Sequence, residues 1–458
     1  MSPIPVIIDT DPGVDDILAL LLAFSSPHLV VVGITLTHGN TTLSYARQNL
    51  EKLLYALDQH LLSSDTTTTA ESRWRGINDL EWRKKWGGNG AEQVRVWMGS
   101  EGPLEGQAVT AKYFHGKDGL ADCETLYPEL TPPEGYESQL FRFEEESAKE
   151  GIEGLVRERK EMGLDKLHYI ALGPLTSLAQ LAQEEEGEGG IDLEKSFETI
   201  SSMGGAVEHP GNTTPVAEFN YYADPYAARK IFSLSLPNLY VFPLDLTSYL
   251  TLPFSLYTSQ IDPDLSLPPP NSSSLDSIDR ERERVGGKKD PLVHFTTSFL
   301  RGTKRVMESF GGDAMELHDP TVVYASIEYA ARRRRQERQV RVEEGNGGEF
   351  AEGWEWKRVD FEVECDGTLT RGMLVPDHRA SSKTSTSITS RTGQTNRALA
   401  VKQDTSEIKV LDLPEVEARQ VEEKEGKRVC GAKVVVKSPG SERMRKEMLE
   451  MVWGVTMK

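Results

Sequence analysis

Cysteine is scarce in this chain. The three residues, Cys123, Cys365 and Cys430, are odd in number and far apart, which argues against a disulfide framework or a zinc site and predicts reduced thiols. Long apolar runs are missing too, so no segment approaches membrane-spanning length. Met1-Ser2-Pro3 leads directly into a strand-like run with no room for a signal peptide, and the expected location is the cytoplasm. Basic charge is also short. With 52 Lys and Arg against 72 Asp and Glu, the formal net charge of −20 argues against a nucleic-acid partner, although part of the acidity is local to a few segments.

What is present is a series of strand-length apolar runs at Val6–Ile8, Leu29–Leu36, Val94–Met98, Leu167–Ala171, Thr199–Met203 and Leu239–Leu244. Helical patterns separate most of them, an alternation that implies an α/β fold with a doubly wound, largely parallel sheet. A chain of 458 residues exceeds the usual single-domain size, which leaves two domains or one large domain with insertions. No internal repeat is detected. Arg332-Arg333-Arg334-Arg335 ends a helix-like segment, where cations suit the negative helix end, so a solvated face is preferred over a nucleic-acid signal. Glu184-Glu185-Glu186, beside Gly189-Gly190, reads as a helix end running into an exposed loop.

The densest chemistry lies near the amino terminus. Asp9, Asp11, Asp15 and Asp16 place four carboxylates in eight residues, where the strand Val6–Ile8 gives way through Pro12-Gly13 to a helix over Ile17–Phe24. Ligands of open α/β sheets bind at this carboxyl edge, and extended chain would send Asp9 and Asp11 to the same side. Like charges at this range repel strongly, and calcium accepts this many carboxylates more readily than magnesium does. Asp15 and Asp16 have a simpler reading as first-turn acids that cap a helix, but capping accounts for neither Asp9 nor Asp11. A strand ending in Asp-x-Asp also opens the haloacid dehalogenase phosphatases, whose first Asp is a nucleophile.

Asp9-Thr10-Asp11-Pro12-Gly13-Val14-Asp15-Asp16 closely resembles the amino-terminal signature of the inosine-uridine preferring nucleoside hydrolases, and further segments are similar to that family in the right order. They are Thr37-His38-Gly39-Asn40, Phe114-His115-Gly116-Lys117-Asp118-Gly119-Leu120, the junction Ala171–Ala179, the loop Gly211–Asn220 and His318-Asp319-Pro320, followed by Gly367–Gly372 in a carboxyl-terminal β-hairpin. The resemblance spans nearly the whole chain. It implies one nucleoside hydrolase domain over 1–458 with insertions at 59–93, 262–289, 332–352 and 380–407. The first contains Trp74, Trp82 and Trp86, and the spacing of the last two predicts a local helix packed on the core. Asp262–Lys289, with Pro268-Pro269-Pro270, is expected as a loop excursion, and Ala380–Arg397 is Ser/Thr-rich and of low complexity.

By the same resemblance the chain is an enzyme that splits the N-glycosidic bond of a ribonucleoside into base and ribose, with Ca2+ as cofactor. Asp11, Asp16, Asp319 and the backbone carbonyl of Leu172 would hold the ion. Asp11 would also take the proton of the attacking water, and Asp9 would support the cluster from behind. Asp15, Asn40, His115, Asn212, Glu218, Asn220 and Asp319 form the implied substrate-binding set, with Asn220 also favouring the charged ribosyl centre. Glu218 and Asn220 are two apart and would both face the sugar in an extended loop. His318 is the candidate acid for the departing base. Asp319-Pro320 also reads as a helix cap, which is compatible with a ligand role. Two rival readings are a haloacid dehalogenase phosphatase, which leaves Asn212–Asn220 and His318-Asp319 unexplained, and a catalytically silent nucleoside-binding scaffold, against which the intact acids argue. Inosine, uridine and nicotinamide riboside offer the same ribose, so the base stays open; relatives suggest a homodimer or homotetramer.

Overall fold

The computed structural model describes residues 3–63, 73–88, 90–182, 190–270, 275–285, 289–338, 352–376 and 430–457. Its strands are β1 (Ile4–Thr10), β2 (Leu29–Leu36), β3 (Val94–Met98), β4 (Phe141–Phe143), β5 (Leu167–Ala171), β6 (Phe197–Met203), β7 (Leu239–Phe242), β8 (Thr251–Pro253), β9 (Ala314–Glu316), β10 (Glu355–Val363), β11 (Leu374–Pro376) and β12 (Gly431–Lys437). Ten of them form one sheet in the order β11-β10-β12-β7-β6-β5-β1-β2-β3-β4, while β8 and β9 pair separately. From β12 to β4 every pairing is parallel; β10 and β11 are antiparallel additions at one edge. The expected doubly wound α/β fold is thus present, and the expected hairpin is β10–β11, with Gly367–Gly372 in its connection.

β1 explains why the acids matter. All seven of its residues are buried, with Ile8 in one core layer and Ile7 in the other, as expected for a central strand covered on both faces. The chain runs outward from β1 through β2, β3 and β4, then restarts on the other side with β5, β6 and β7. The carboxyl end of β1 is therefore the switch point of the sheet, where a crevice opens.

The helices used below are α1 (Val14–Ser25), α2 (Leu43–Ser63), α3 (Leu80–Gly87), α4 (Lys112–His115), α5 (Phe219–Ala223), α6 (Leu275–Val285), α7 (Pro291–Ser309) and α8 (His318–Arg338). α3 is the helix expected from Trp82 and Trp86, and both Trp74 and Trp82 are buried. Residues 262–289 are more than the expected loop excursion. They contain α6, and Glu281 pairs with the buried Arg301 of α7 at 2.6 Å while Asp264 pairs with Arg284 at 2.7 Å. Arg332–Arg335 do not end their helix, since α8 continues to Arg338. Glu184–Glu186 and the 380–407 segment lie outside the described residues, as does most of 332–352 beyond Arg338. Among the described residues no disulfide involves Cys123, Cys365 or Cys430. Among the described residues no helix is long and apolar enough to cross a membrane.

Candidate active site

Asp11, Pro12 and Gly13 form the turn from β1 into α1. Asp16 closes that turn. Its carboxylate accepts the Thr10 hydroxyl at 2.5 Å, the Asn40 side-chain amide at 2.8 Å, and the backbone N–H groups of Gly13 at 3.0 Å and Asp11 at 3.3 Å. The capping role read for Asp16 is therefore real and coexists with a place in the acid cluster. Asp319 arrives from the first turn of α8, which starts at His318; it is inside the helix and not its cap, because the Thr321 N–H bonds the carbonyl of Leu317. One oxygen each from Asp15, Asp16 and Asp319 lies within 4.8 Å of the others, and all three residues are buried.

Asp11 is held differently. Its Oδ2 accepts the Asn40 N–H at 2.6 Å, whereas its Oδ1 is buried with no hydrogen-bond partner among the described residues. Gly39 and Gly173 make the room, since a Cβ at either position would collide with this carboxylate. Asp9 is tied elsewhere, to the hydroxyls of Tyr169 at 2.9 Å and Ser177 at 3.1 Å, so extended geometry does not bring its carboxylate to the partners of Asp11.

The electrostatics ask for a cation. Burial, then the charges of Asp16 and Asp15, pushes the Asp11 carboxyl well up. Burial also raises Asp319, reinforced by Asp15, Asp16 and Asp11, with Asp16 acting on it as hydrogen-bond partner as well as charge. Burial and the charge of Asp16 take Asp15 from its ordinary 3.8 to about 7, and burial takes Asp9 to about 7. Buried carboxylates in mutual repulsion, with the Oδ1 of Asp11 unpartnered among the described residues, fit a hard, oxygen-seeking ion such as calcium.

One consequence is a pH dependence of stability. For Asp9 and Asp15 the folded state without metal binds its proton more tightly than the unfolded chain, so their contribution is full below about pH 4 and is lost as pH rises towards about 7. A cation bound at the cluster would offset the Asp15 part of that loss by taking the place of its proton, whereas Asp9, tied to Tyr169 and Ser177, would not be affected. The difference in Tm between calcium-loaded and chelator-treated protein is therefore expected to widen from about pH 5 to about pH 8. Thermal unfolding at the two pH values checks it; a constant difference contradicts the assignment.

Above the acids opens a cavity of about 340 Å³, lined among others by Asp15, Asn40, His115, Leu172, Asn212, Glu218, Asn220, His318 and Asp319. The expected substrate-binding set is thus brought together. Two details differ from expectation. Glu218 is the N-cap of α5, accepting the N–H groups of Asn220 at 2.7 Å, Gly205 at 2.8 Å and Tyr221 at 3.3 Å, so this stretch enters a helix and is not extended. The carbonyl of Leu172, read as a metal ligand, accepts the Asn220 side-chain amide at 2.6 Å. Burial raises the Glu218 carboxyl against the pull of its N–H donors.

The two histidines are shifted in opposite directions. His115 accepts the Val14 N–H on Nδ1 at 3.3 Å, and burial, helped by His318, holds it near 3, hence neutral. His318 is bound at both nitrogens, by Thr247 at 2.8 Å and Glu316 at 2.9 Å. Burial disfavours its charge, but the bond to Glu316 and the charges of Asp15, Glu316 and Glu218 outweigh it and raise its pKa. Glu316 was missed in the sequence, although it ends β9 two residues before His318. Tyr113, Phe114, Met203, Phe219, Met307 and Phe310 also line the cavity unforeseen. The first two directly precede His115, a usable signal; Met307 and Phe310 sit at the end of α7, where an apolar residue reads like core.

A doubly wound sheet with a buried acid cluster at its switch point, beside a partly open cavity lined by both polar and apolar side chains, defines an α/β protein with a candidate site for a cation and a small ligand. The chain belongs to the family described as inosine-uridine preferring nucleoside hydrolase, whose model matches residues 6–70 and 77–409. It is 30% identical over 323 residues to a probable uridine nucleosidase 2 of Oryza sativa subsp. japonica, covering 70% of this chain and 73% of that one. It is 27% identical over 320 residues to the pyrimidine-specific ribonucleoside hydrolase RihA of Klebsiella pneumoniae, covering 70% and 78% respectively. Among solved structures, a plant nucleoside hydrolase superposes with a TM-score of 0.58 at 21% identity, covering 98% of this chain and 99% of that one, a likeness of fold. The chain is accordingly a nucleoside hydrolase enzyme by family, and the phosphatase reading does not hold.

Proposed function

We propose that this chain hydrolyses ribonucleosides to free base and ribose at a calcium site formed by Asp11, Asp16, Asp319 and the carbonyl of Leu172, with Asp15 beside them. The observation that carries this reading is the convergence of Asp15, Asp16 and Asp319 within 4.8 Å, two of which, Asp15 and Asp319, line a cavity together with Asn212, Glu218, Asn220 and His318. When bound, calcium supplies the positive charge that polarises the attacking water and reconciles the acids. Asp11 has the build of the general base: Asn40 anchors Oδ2, Oδ1 is uncommitted, and burial raises its proton affinity. Asp15, Asn40, Asn212 and Glu218 line the cavity with groups suited to ribose hydroxyls, and Asn220 is fixed by Leu172 to favour a positively charged sugar ring. His318 and Glu316 both line the cavity, so the proton between them is available to a departing base.

The function is tested by assaying a panel of ribonucleosides for free ribose, with uridine first because two of the relatives above are named for uridine or pyrimidines. The acid is tested separately. His318→Ala is expected to lose about a hundredfold or more in kcat on uridine or inosine, and to be spared on a synthetic riboside whose leaving group departs unprotonated. Equal losses on both substrates contradict proton donation.

A further inference from the structure

Asn49 lies on α2, completely buried, and takes no part in the chemistry proposed above. We infer that Asn49 is a positioning residue that locks the segment carrying Tyr113, Phe114 and His115 onto the loop carrying the acids, an inference that rests on the proposed function. A side-chain amide offers two N–H bonds in a fixed fork. The Nδ2 of Asn49 donates to the carbonyl of Pro12 at 2.9 Å and to the carbonyl of Asp118 at 2.6 Å. Pro12 follows Asp11, and Asp118 lies three residues past His115, so one nitrogen joins the two halves of the pocket. Thr41, next to Asn40, adds a lighter tie through its hydroxyl to the carbonyl of Lys117 at 3.2 Å. Gly119, at φ +84°, lets both reach; a Cβ there would meet Asn49 Nδ2 and the Thr41 side chain at 2.9 Å.

The segment needs such a hold. Ala121 and Asp122 adopt φ of 56° and 61°, a left-handed conformation that is unfavourable for residues other than glycine. Asp118 stabilises this turn by accepting the N–H groups of Leu120 at 2.8 Å, Asp122 at 2.9 Å and Glu124 at 2.8 Å. Asn49 in turn fixes Asp118 against Pro12, and the same segment closes the pocket with His115 on the Val14 N–H. A buried amide serving two loops is thus worth more to pocket geometry than its own pair of bonds.

The test is Asn49→Leu in the full chain, which nearly fills the same space but leaves both carbonyls unpaired. Amide hydrogen exchange across residues 116–124 is expected to accelerate about tenfold or more while β1 and β5 stay protected. KM for the riboside that the wild type cleaves is expected to rise about fivefold or more with kcat within about threefold, because the Asn40 N–H still holds the Asp11 carboxylate and His318 stands on α8. In a His115→Ala background the KM increase should shrink, since residues acting through one another are not additive. Uniformly faster exchange through the sheet, or an unchanged KM, overturns the positioning role. If Asn49→Leu does not fold, Thr41→Val removes the lighter tie, and the same directions of change are required of it. The exchange measurement needs no turnover, so a chain that cleaves no riboside would refute the function without deciding the fate of this strut.

Discussion

Replacing Asp11 by Asn is expected to lower kcat on ribonucleosides by about a thousandfold, within the range for loss of a general base. The substitution keeps the shape and an oxygen that can still accept the Asn40 N–H at the Oδ2 position, but it removes the proton acceptor. Calcium-free protein should at the same time become more heat-stable. Asp11 is buried among Asp16, Asp15 and Asp319, whose like charges raise its proton affinity, so a neutral amide relieves repulsion that the metal-free fold must otherwise bear. The pairing of lost turnover with gained apo stability separates a chemical role from a packing defect, which would lower both. Measuring kcat at saturating substrate and Tm in chelator decides it; near-normal turnover excludes Asp11 as the base.

Removing calcium is expected to abolish hydrolysis altogether, and adding it back should restore the original rate. The acids that would receive the ion are buried, and the described hydrogen bonds leave the Oδ1 of Asp11 unmatched. Without a cation some of these carboxylates must take up protons, which removes the general base and the charge that polarises water together. A ligand that binds only the folded chain also stabilises it, by about 2.7 kcal/mol at a concentration a hundredfold above its Kd. The Tm should therefore rise with calcium concentration in parallel with activity. Full activity in protein shown to be free of metal contradicts the assignment.

Much of this was legible in the sequence, for identifiable reasons. The acid run Asp9–Asp16 follows an apolar strand with no intervening polar residue, so strand, turn and helix start announce themselves locally. The strand positions were legible because period and length were local as well, although β1 and β6 begin two residues earlier than their apolar runs, at Ile4 and Phe197. Glu218 was misread because Glu is not a favoured N-cap and the helix it starts has only five residues, too short for a periodic signature. The meeting of Asp319 with Asp15 and Asp16 depends on α8 packing on α1 across some three hundred residues of chain, which spacing alone does not encode. The ion pairs that bind α6 to α7 are long-range in the same sense, and from sequence their members look like solvated loop charges. Asn49 left no trace because a polar residue on one helix face reads as surface, while its carbonyl partners carry no side-chain identity at all.

The most direct test of the central claim is the stoichiometry of products from uridine, inosine and a wider set of ribonucleosides, incubated with calcium-loaded protein in phosphate-free buffer. Free ribose and free base are predicted to accumulate in equal amounts for at least one of them, with the rate lost in Asp11→Asn. Calcium-loaded, folded protein that releases no ribose from any member of the set would contradict the account.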